Sequence, residues 1–275
     1  NEDQKGIHEM KTIVSRPAII NKISEIENNA TTKTIQTNST VLVIIGVERS
    51  YSEFDSNAIY NFVKSGGKVI IADDSGYGNS AFYGEMGSLE IGVKLRTNIV
   101  QEGCQPTESS GLVAGAIDAL GYDGSGSSSP KCKPALLYDS NHWDEPIHPK
   151  NNSIAIIDAN VPRMDFTGQL MMSSPAALTI QSGGAAEGLV WSSQKAFIDY
   201  NQDEIGGKGE GTYRDESTNG VEVVAEANIG NGTVIFISDT SIFTNEYYDD
   251  LDNREFILSM VQYVTGGKKH TLIFD

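Results

Sequence analysis

Residues 39–79 read STVLVIIGVERSYSEFDSNAIYNFVKSGGKVIIADDSGYGN, and this stretch decides the fold class. VLVIIGV at 41–47 and KVIIAD at 68–73 are continuous apolar runs rich in β-branched residues. Runs of this kind are typical of parallel strands that are buried on both faces of a sheet. We therefore expect two neighbouring buried strands joined by a crossover.

The segment between these strands has the punctuation of a helix. Ser52 can cap its start, with Asp55 three residues later. Gly66 and Gly67 end it, because glycine readily adopts the left-handed conformation at a helix terminus. One apolar stripe is expected to face the sheet, and it consists of Phe54, Ala58, Ile59, Phe62 and Val63.

A matching unit lies near the end of the chain. GTVIFISD at 232–239 is predicted to be a buried strand, and a helix is predicted to start at Asp252 or Asn253 and end at Gly266. TLIF is then the last strand. The whole pattern predicts a single α/β domain over residues 1–275, with an irregular middle region at about 80–190 and a long polar loop at 199–220.

The formal net charge of −17 restricts the classes of partner. A protein that binds duplex nucleic acid needs clustered Lys and Arg to displace counterions, and the sequence has no such cluster. The charge equally disfavours anionic membrane surfaces, and no stretch approaches the roughly 18 apolar residues of a membrane span. A protein partner, or a second copy of the chain, remains the expected partner.

Two long segments together resemble the DUF4350 family, which is frequent in archaea. They are the stretch at 39–79 and VEVVAEANIGNGTVIFISDTSIFTNEYYDDLDNREFILSMVQYVTGG at 221–267. The resemblance implies a three-layer α/β sandwich with a mainly parallel sheet, similar to glutamine amidotransferases and flavodoxins. It also implies an extracellular domain tethered by membrane segments that are absent from this chain. The family carries no settled activity.

The polar segment at 199–210 has the ligand order of a calcium loop. Asp199, Asn201, Asp203 and Glu210 occupy positions 1, 3, 5 and 12 of a twelve-residue window, and Ile205 offers its carbonyl at position 7. Calcium is a hard cation that takes six to eight oxygen ligands. The segment therefore predicts a bound calcium ion.

Two positions of this window depart from the EF-hand pattern. Glu204 stands where the motif has a glycine for the sharp turn, and Gly206 stands where an apolar residue is usual. A solvated turn rich in Asp and Asn is the alternative, since these residues favour turns in any case.

The segment ADDSGYGN at 72–79 follows a central strand, where ligands bind in open α/β sheets. Asp73, Asp74 and Ser75, together with Asp239 after the other central strand, are the candidate ligand-binding residues. Ser75 lacks the G-x-S-x-G surround of a nucleophile, and no cysteine or histidine stands near it in the sequence. We therefore predict no catalytic residue here. The alternative to ligand binding is that these carboxylates cap a helix or line a surface cleft.

The segment NHWDEPIH at 141–148 is a weaker candidate for chemistry. Its histidines and carboxylates could bind a transition metal, but their spacing matches no zinc pattern. Pro146 excludes a regular helix, so the segment is predicted to be a loop.

Cys104 and Cys132 flank a stretch rich in Gly and Ser. In an extracellular chain we expect them to form a disulfide, which would constrain the unfolded chain by about 3–4 kcal/mol. The alternative is two unrelated buried thiols. N-glycosylation sequons, which permit glycosylation without requiring it, stand at Asn29, Asn38, Asn151 and Asn231.

Three functions fit these features. The first is a non-enzymatic domain outside the cell that binds a protein partner or its own copies and is stabilised by calcium. The second is a degenerate amidotransferase-like hydrolase that uses the Asp73–Ser75 corner. The third, a solute-recognition module of a transport system, depends on fold analogy alone.

Overall fold

The structure is a computed structural model of the 275-residue chain. It describes residues 37–82, 91–101, 137–139, 142–147, 154–181, 183–192, 196–199 and 220–275. The helices are α1 (Glu53–Lys64) and α2 (Asn253–Thr265). The strands are β1 (Thr40–Ile45), β2 (Lys68–Ala72), β3 (Val93–Gln101), β4 (Leu137–Asp139), β5 (His142–Ile147), β6 (Ile154–Val161), β7 (Phe166–Ser173), β8 (Ala176–Ile180), β9 (Ala186–Trp191), β10 (Phe197–Asp199), β11 (Glu222–Ile229), β12 (Gly232–Ile237) and β13 (Thr271–Phe274). Short 3-10 turns lie at Tyr77–Phe82, Pro162–Met164 and Ser241–Phe243.

A mixed six-stranded sheet forms the centre, in the order β13-β1-β2-β12-β11-β9. The first four strands pair in parallel, whereas β11 runs antiparallel to both of its neighbours. A two-residue turn at Gly230–Asn231 reverses the chain between β11 and β12, and Gly230 has the positive φ of 57° that such hairpin turns use. The predicted α/β class is confirmed.

Both faces of the central strands are apolar, as their sequence runs predict. Val41, Ile70 and Ile235 point into one core cluster together with Phe256 and Met260 of α2. The residues next to them in each strand, such as Leu42, Ile71 and Phe236, point into a second cluster with Ile59 and Phe62 of α1. Because side chains alternate along a strand, α1 and α2 cover opposite faces of the sheet.

The helix α1 begins and ends where the sequence predicts. The Ser52 hydroxyl accepts a hydrogen bond from the Asp55 N–H at 3.2 Å, and Asp55 accepts one from the Ser52 N–H at 3.3 Å, which is a complete capping box. The prediction for Phe54 is wrong, since its side chain is 70% exposed. Phe54 lies in the first turn, beyond the end of the apolar stripe that contacts the sheet.

Further antiparallel strands lie outside the six-stranded sheet. β10, β3 and β8 form a three-stranded sheet, β4 and β5 a pair, and β6 and β7 a hairpin whose apolar side chains enter the α2-side core. The prediction of a loop at 141–148 is wrong for 142–147, which form β5. This strand carries Pro146 and lies at the edge of a two-stranded sheet, where proline is tolerated. β7 carries no clear strand signal in the sequence, because Gly168 and Gln169 interrupt its apolar pattern.

The outer edge of β7 is held by side chains rather than by another strand. Every second backbone N–H of β7 donates to a side-chain oxygen from the segment that leads into α2. The pairs are Gln169 with Asp252 (2.8 Å), Met171 with Asn253 (3.0 Å) and Ser173 with Ser241 (2.9 Å). These bonds satisfy an edge that would otherwise need water or another chain, and they attach the hairpin to α2.

Neither helix among the described residues is long and apolar enough to cross a membrane. The helices have 12 and 13 residues, which suits elements that pack on a sheet of this size.

Replacing Asn253 by alanine tests the attachment of β7. The Asn253 amide is fully buried, accepts from Met171 N–H, and donates to the carbonyls of Met171 and Tyr247, both at 2.8 Å. We expect the free energy of unfolding to fall by about 2–4 kcal/mol, because buried backbone groups lose their partners. Urea unfolding measures this. The control Asn57→Ala, on the exposed face of α1, should change stability by less than about 0.5 kcal/mol, and equal effects of the two would contradict the assignment.

Candidate functional site

The candidate site is the edge of the sheet where β2 and β12 end. After β2 the chain turns to the α1 side, where Ala81 and Phe82 join the core. After β12 it turns to the α2 side, where Ile242 joins the other core. Adjacent parallel strands whose connections leave to opposite faces create the crevice in which α/β proteins bind ligands.

Asp73 lies at the end of β2 and is completely buried. Its Oδ1 accepts hydrogen bonds from the Ser75 N–H at 3.2 Å and the Ser75 hydroxyl at 2.6 Å. Its Oδ2 accepts from the Gly78 N–H at 2.7 Å. A Cβ on Gly78 would come within 2.9 Å of that oxygen, so glycine permits the close approach. The carboxylate therefore organises the turn that follows β2.

Ser75 does not have the surroundings of a nucleophile. Its Oγ lies 2.6 Å from Asp73 Oδ1 and 3.0 Å from the Val47 carbonyl oxygen, and both of these are acceptors for its one proton. A triad would require a histidine base at this hydroxyl. His270, the histidine whose side chain lies in the described part of the chain, instead contacts the carbonyls of Lys268 and Asn38 beside the start of β13.

Asp239 lies after β12 and is also completely buried. Its two oxygens accept from the Ser241 N–H and the Ser241 hydroxyl, both at 2.7 Å. Burial raises the pKa of Asp239 to about 6, and the nearby charge of Asp74 adds to the rise, while the hydrogen bonds from Ser241 and the Ser173 N–H oppose it. The side chain caps the turn at Ser241–Phe243.

Asp74 connects the two sides of the crevice. The Thr240 hydroxyl donates to Asp74 Oδ2 at 3.0 Å, across the boundary between β2 and β12. The structure thus brings together all four residues predicted at this edge, Asp73, Asp74, Ser75 and Asp239. The two fully buried carboxylates serve the fold, and Asp74 is the carboxylate of this group that is partly exposed.

A second polar cluster surrounds Glu226 on the α2 side of the sheet, and the sequence does not predict it. Glu226 is 1% exposed. It accepts from the Arg163 guanidinium at 2.9 Å and from the Tyr263 hydroxyl at 2.9 and 3.1 Å. Arg163 also pairs with Glu187. The cluster joins the β6–β7 hairpin to β9, β11 and α2.

The pKa directions within this cluster follow from its geometry. Hydrogen bonds to Glu187 and Glu226 raise the pKa of Arg163, and the bond from Arg163 lowers the pKa of Glu187. Burial raises the pKa of Tyr263, and its bond to Glu226 adds to this. Burial lowers the pKa of Lys68, with Glu226 opposing. The sequence signal for this cluster is Glu226, a charged residue in the middle of the mainly apolar strand VEVVAEANI at 221–229.

The other predicted sites fall largely outside the described residues. This holds for Asn201, Asp203, Ile205 and Glu210 of the calcium loop, for Cys104 and Cys132, and for Asn29 and Asn151. The backbone of Asp199 ends β10, which pairs with β3. Asn38 and Asn231 are exposed. No group of three metal-binding side chains occurs in the part of the chain that is described.

The sequence matches no protein-family model and no curated protein. The fold of the chain is similar to that of the mmIFT52 N-terminal domain. The sequence identity is 13% and the TM-score is 0.49, over 84% of this chain and 78% of that one. It is also similar to the β-galactosidase from Bacillus circulans sp. alkalophilus, with 10% identity and a TM-score of 0.36 over 84% of this chain and 23% of that one. For Gan42B, a GH42 β-galactosidase from G. stearothermophilus, the identity is 10% and the TM-score 0.39 over 86% of this chain and 23% of that one.

The raised pKa of Asp239 predicts a defined pH dependence of stability. An acid whose pKa rises from 3.8 to about 6 on folding binds its proton more tightly in the folded chain. Its contribution to stability therefore falls as the pH rises from about 4 to about 6 and is constant above that. Asp239→Asn stays neutral and keeps an acceptor for the Ser241 N–H.

We expect the variant to gain stability relative to the native chain by roughly 2–3 kcal/mol between pH 4 and pH 7. Urea unfolding at several pH values measures the difference in free energy of unfolding between the two proteins. The contributions of the other titrating groups are the same in both proteins and cancel in this difference. The control Asp249→Asn, at a side chain that is 74% exposed, should give a nearly constant difference. A constant difference for Asp239→Asn as well would show that Asp239 is ionised normally in the folded chain.

Proposed function

We propose that this chain is a non-enzymatic extracellular domain of the DUF4350 type that binds a protein partner or its own copies at the cell surface. In this proposal the domain is a three-layer α/β sandwich of the glutamine amidotransferase-like kind. Membrane segments outside this chain anchor it, and calcium stabilises the loop at 199–210. The Cys104–Cys132 disulfide and the sequons at Asn29, Asn38, Asn151 and Asn231 belong to the same proposal.

The observation that supports a non-enzymatic function is that the buried polar groups where β2 and β12 end are bonded to the backbone of the protein's own turns. Both buried carboxylates, Asp73 and Asp239, accept several hydrogen bonds from the turns that follow them. The hydroxyl of Ser75 faces two acceptors and no described imidazole. A catalytic group must change its bonds during the reaction, whereas these groups are needed to hold the backbone.

Exposed aromatic side chains at the same edge support a role in binding. Phe54 in the first turn of α1 is 70% exposed, and Tyr77 after β2 is 49% exposed. The two segments are linked, because the Tyr51 N–H donates to Ser80 Oγ at 2.7 Å. Exposed aromatic groups are enriched in protein interfaces, so this edge is suited to a protein surface.

The alternatives use the same edge differently. A degenerate hydrolase would use the Asp73–Ser75 corner, and a solute-recognition module would use the crevice at Asp74 and Thr240. The bond between Asp74 and Thr240 spans that crevice at 3.0 Å, which favours a protein partner over a small solute.

An assay for hydrolysis tests the non-enzymatic assignment. We expect p-nitrophenyl acetate and L-glutamine to react no faster with the folded chain than in buffer. No described imidazole contacts the Ser75 hydroxyl, and the Asp73 carboxylate that accepts its proton is buried and held by the Gly78 N–H. Absorbance and ammonia release measure the two reactions. Turnover that disappears in Ser75→Ala, in a variant whose melting temperature shows that it is folded, would establish the hydrolase alternative.

Thermal melting with calcium tests the metal part of the proposal. The departures at Glu204 and Gly206 predict a weak extracellular type of site, with a Kd on the order of 10⁻⁴–10⁻³ M. At a calcium concentration about ten times Kd, binding to the folded chain alone would add about 1.4 kcal/mol. Asp199→Ala should abolish the gain, whereas Asp249→Ala should keep it. An equal melting temperature in calcium and in chelator would contradict the calcium site and would favour the alternative, a polar turn at 199–210.

A further inference from the structure

The strand β13 is the outermost strand of the central sheet on the β1 side, and none of the described strands pairs with its other edge. The N–H groups of Thr271 and Asp275 donate to the carbonyls of Ser39 and Val43 at 2.8 and 2.9 Å. Because N–H directions alternate along a strand, the N–H and C=O groups of Leu272 and Phe274 point away from β1. They form a short row of backbone groups suited to another strand.

The side chains of this edge are apolar and incompletely covered. Leu272 is 38% exposed, and Ile273 and Phe274 are partly exposed. Leu272 and Phe274 lie on the α2 side with Val41 and Val43, their partners in β1. An apolar edge strand without a proline or an inward-pointing charge is a template for strand pairing.

We propose that a second copy of this chain pairs with this edge, with β13 antiparallel to β13 of the partner about a two-fold axis at Leu272. This inference rests on the self-association part of the proposed function and names its surface. In a symmetric antiparallel pair one residue lies opposite itself, and the outward N–H and C=O groups of Leu272 in the two copies then bond to each other. The two exposed leucine side chains become neighbours on one face.

Charge complementarity selects this register. With Leu272 on the axis, Lys269 of each copy lies opposite Asp275 of the other, because the two positions are three residues on either side of Leu272. With Ile273 on the axis, Thr271 would lie opposite Asp275 and no ion pair would form. The Tyr51 hydroxyl donates to Asp275 and holds its side chain at this end of the strand.

The overall charge sets the conditions under which pairing occurs. Each copy carries a net charge of −17, which opposes approach at low salt. At physiological ionic strength charges are screened beyond about 8 Å, whereas Lys269 and Asp275 would be within a few ångströms of each other. The contact is short, so it belongs with weak and transient interfaces, and the dimer should form only at raised protein concentration.

Sedimentation of the whole chain at increasing concentration in about 0.15 M NaCl tests the proposal. We expect a dimer whose fraction rises with concentration. Leu272→Pro removes one outward N–H and leaves the bonds of β13 to β1 in place, as proline does on an edge strand. The protein concentration at which half of the chains are dimers should therefore rise at least tenfold. Leu258→Ser, which removes a leucine that is 55% exposed on α2, is the matched control and should leave the dimer unchanged.

Charge reversal gives a second variant that does not depend on the backbone. Lys269→Asp should weaken the dimer by severalfold, and the double variant Lys269→Asp with Asp275→Lys should restore it. A single-copy mass of 29.7 kDa at every concentration, or dimers that persist in Leu272→Pro, would overturn the proposal. Neither result affects the non-enzymatic assignment, which only turnover in the hydrolysis assay would contradict.

Discussion

Burial of both faces of the four parallel strands is the constraint on which the rest of the structure depends. β1, β2 and β12 place apolar side chains alternately into two separate cores. Such a sheet is stable only when both faces are covered. The chain meets this requirement with α1 on one face and with α2 and the β6–β7 hairpin on the other, and each covering element brings polar groups that must find partners.

The need to satisfy polar groups explains the buried carboxylates at the ends of the central strands. The end of each central strand carries a buried carboxylate, and each carboxylate satisfies the backbone of the turn that leads to a different face. The same arrangement that marks a ligand site in other α/β proteins is here largely occupied by the protein's own turns. A cluster of acidic residues at the end of parallel strands is therefore insufficient evidence for catalysis, because helix and turn capping needs the same residues.

The hairpin on the α2 side is attached at two places by buried polar groups. Asn253 bonds the edge of β7 at the start of α2, and Glu226 receives Arg163 from the hairpin and Tyr263 from the same helix. Burying these groups is favourable only while every partner is present. Hydrogen bonding therefore fixes the position of the hairpin against α2, in addition to the contribution of apolar packing.

The sequence by itself determined the elements that depend on local signals. The buried strands, the Ser52–Asp55 cap of α1 and the glycines that end α1 and α2 all follow from residues a few positions apart, and the structure has them within one or two residues of the prediction. The sequence also named Asp73, Asp74, Ser75 and Asp239 as candidates that follow two buried strands, but it did not place those strands side by side. The parallel pairing of β2 with β12 brings the four residues to one edge. Only the tertiary structure showed that Asp73 and Asp239 bond to the turns that follow them, as the capping alternative requires, that Phe54 faces solvent, that β7 is bonded by Asn253 and that Glu226 binds Arg163. The last two contacts join residues 82 and 63 positions apart, and no local periodicity encodes a contact at such a distance.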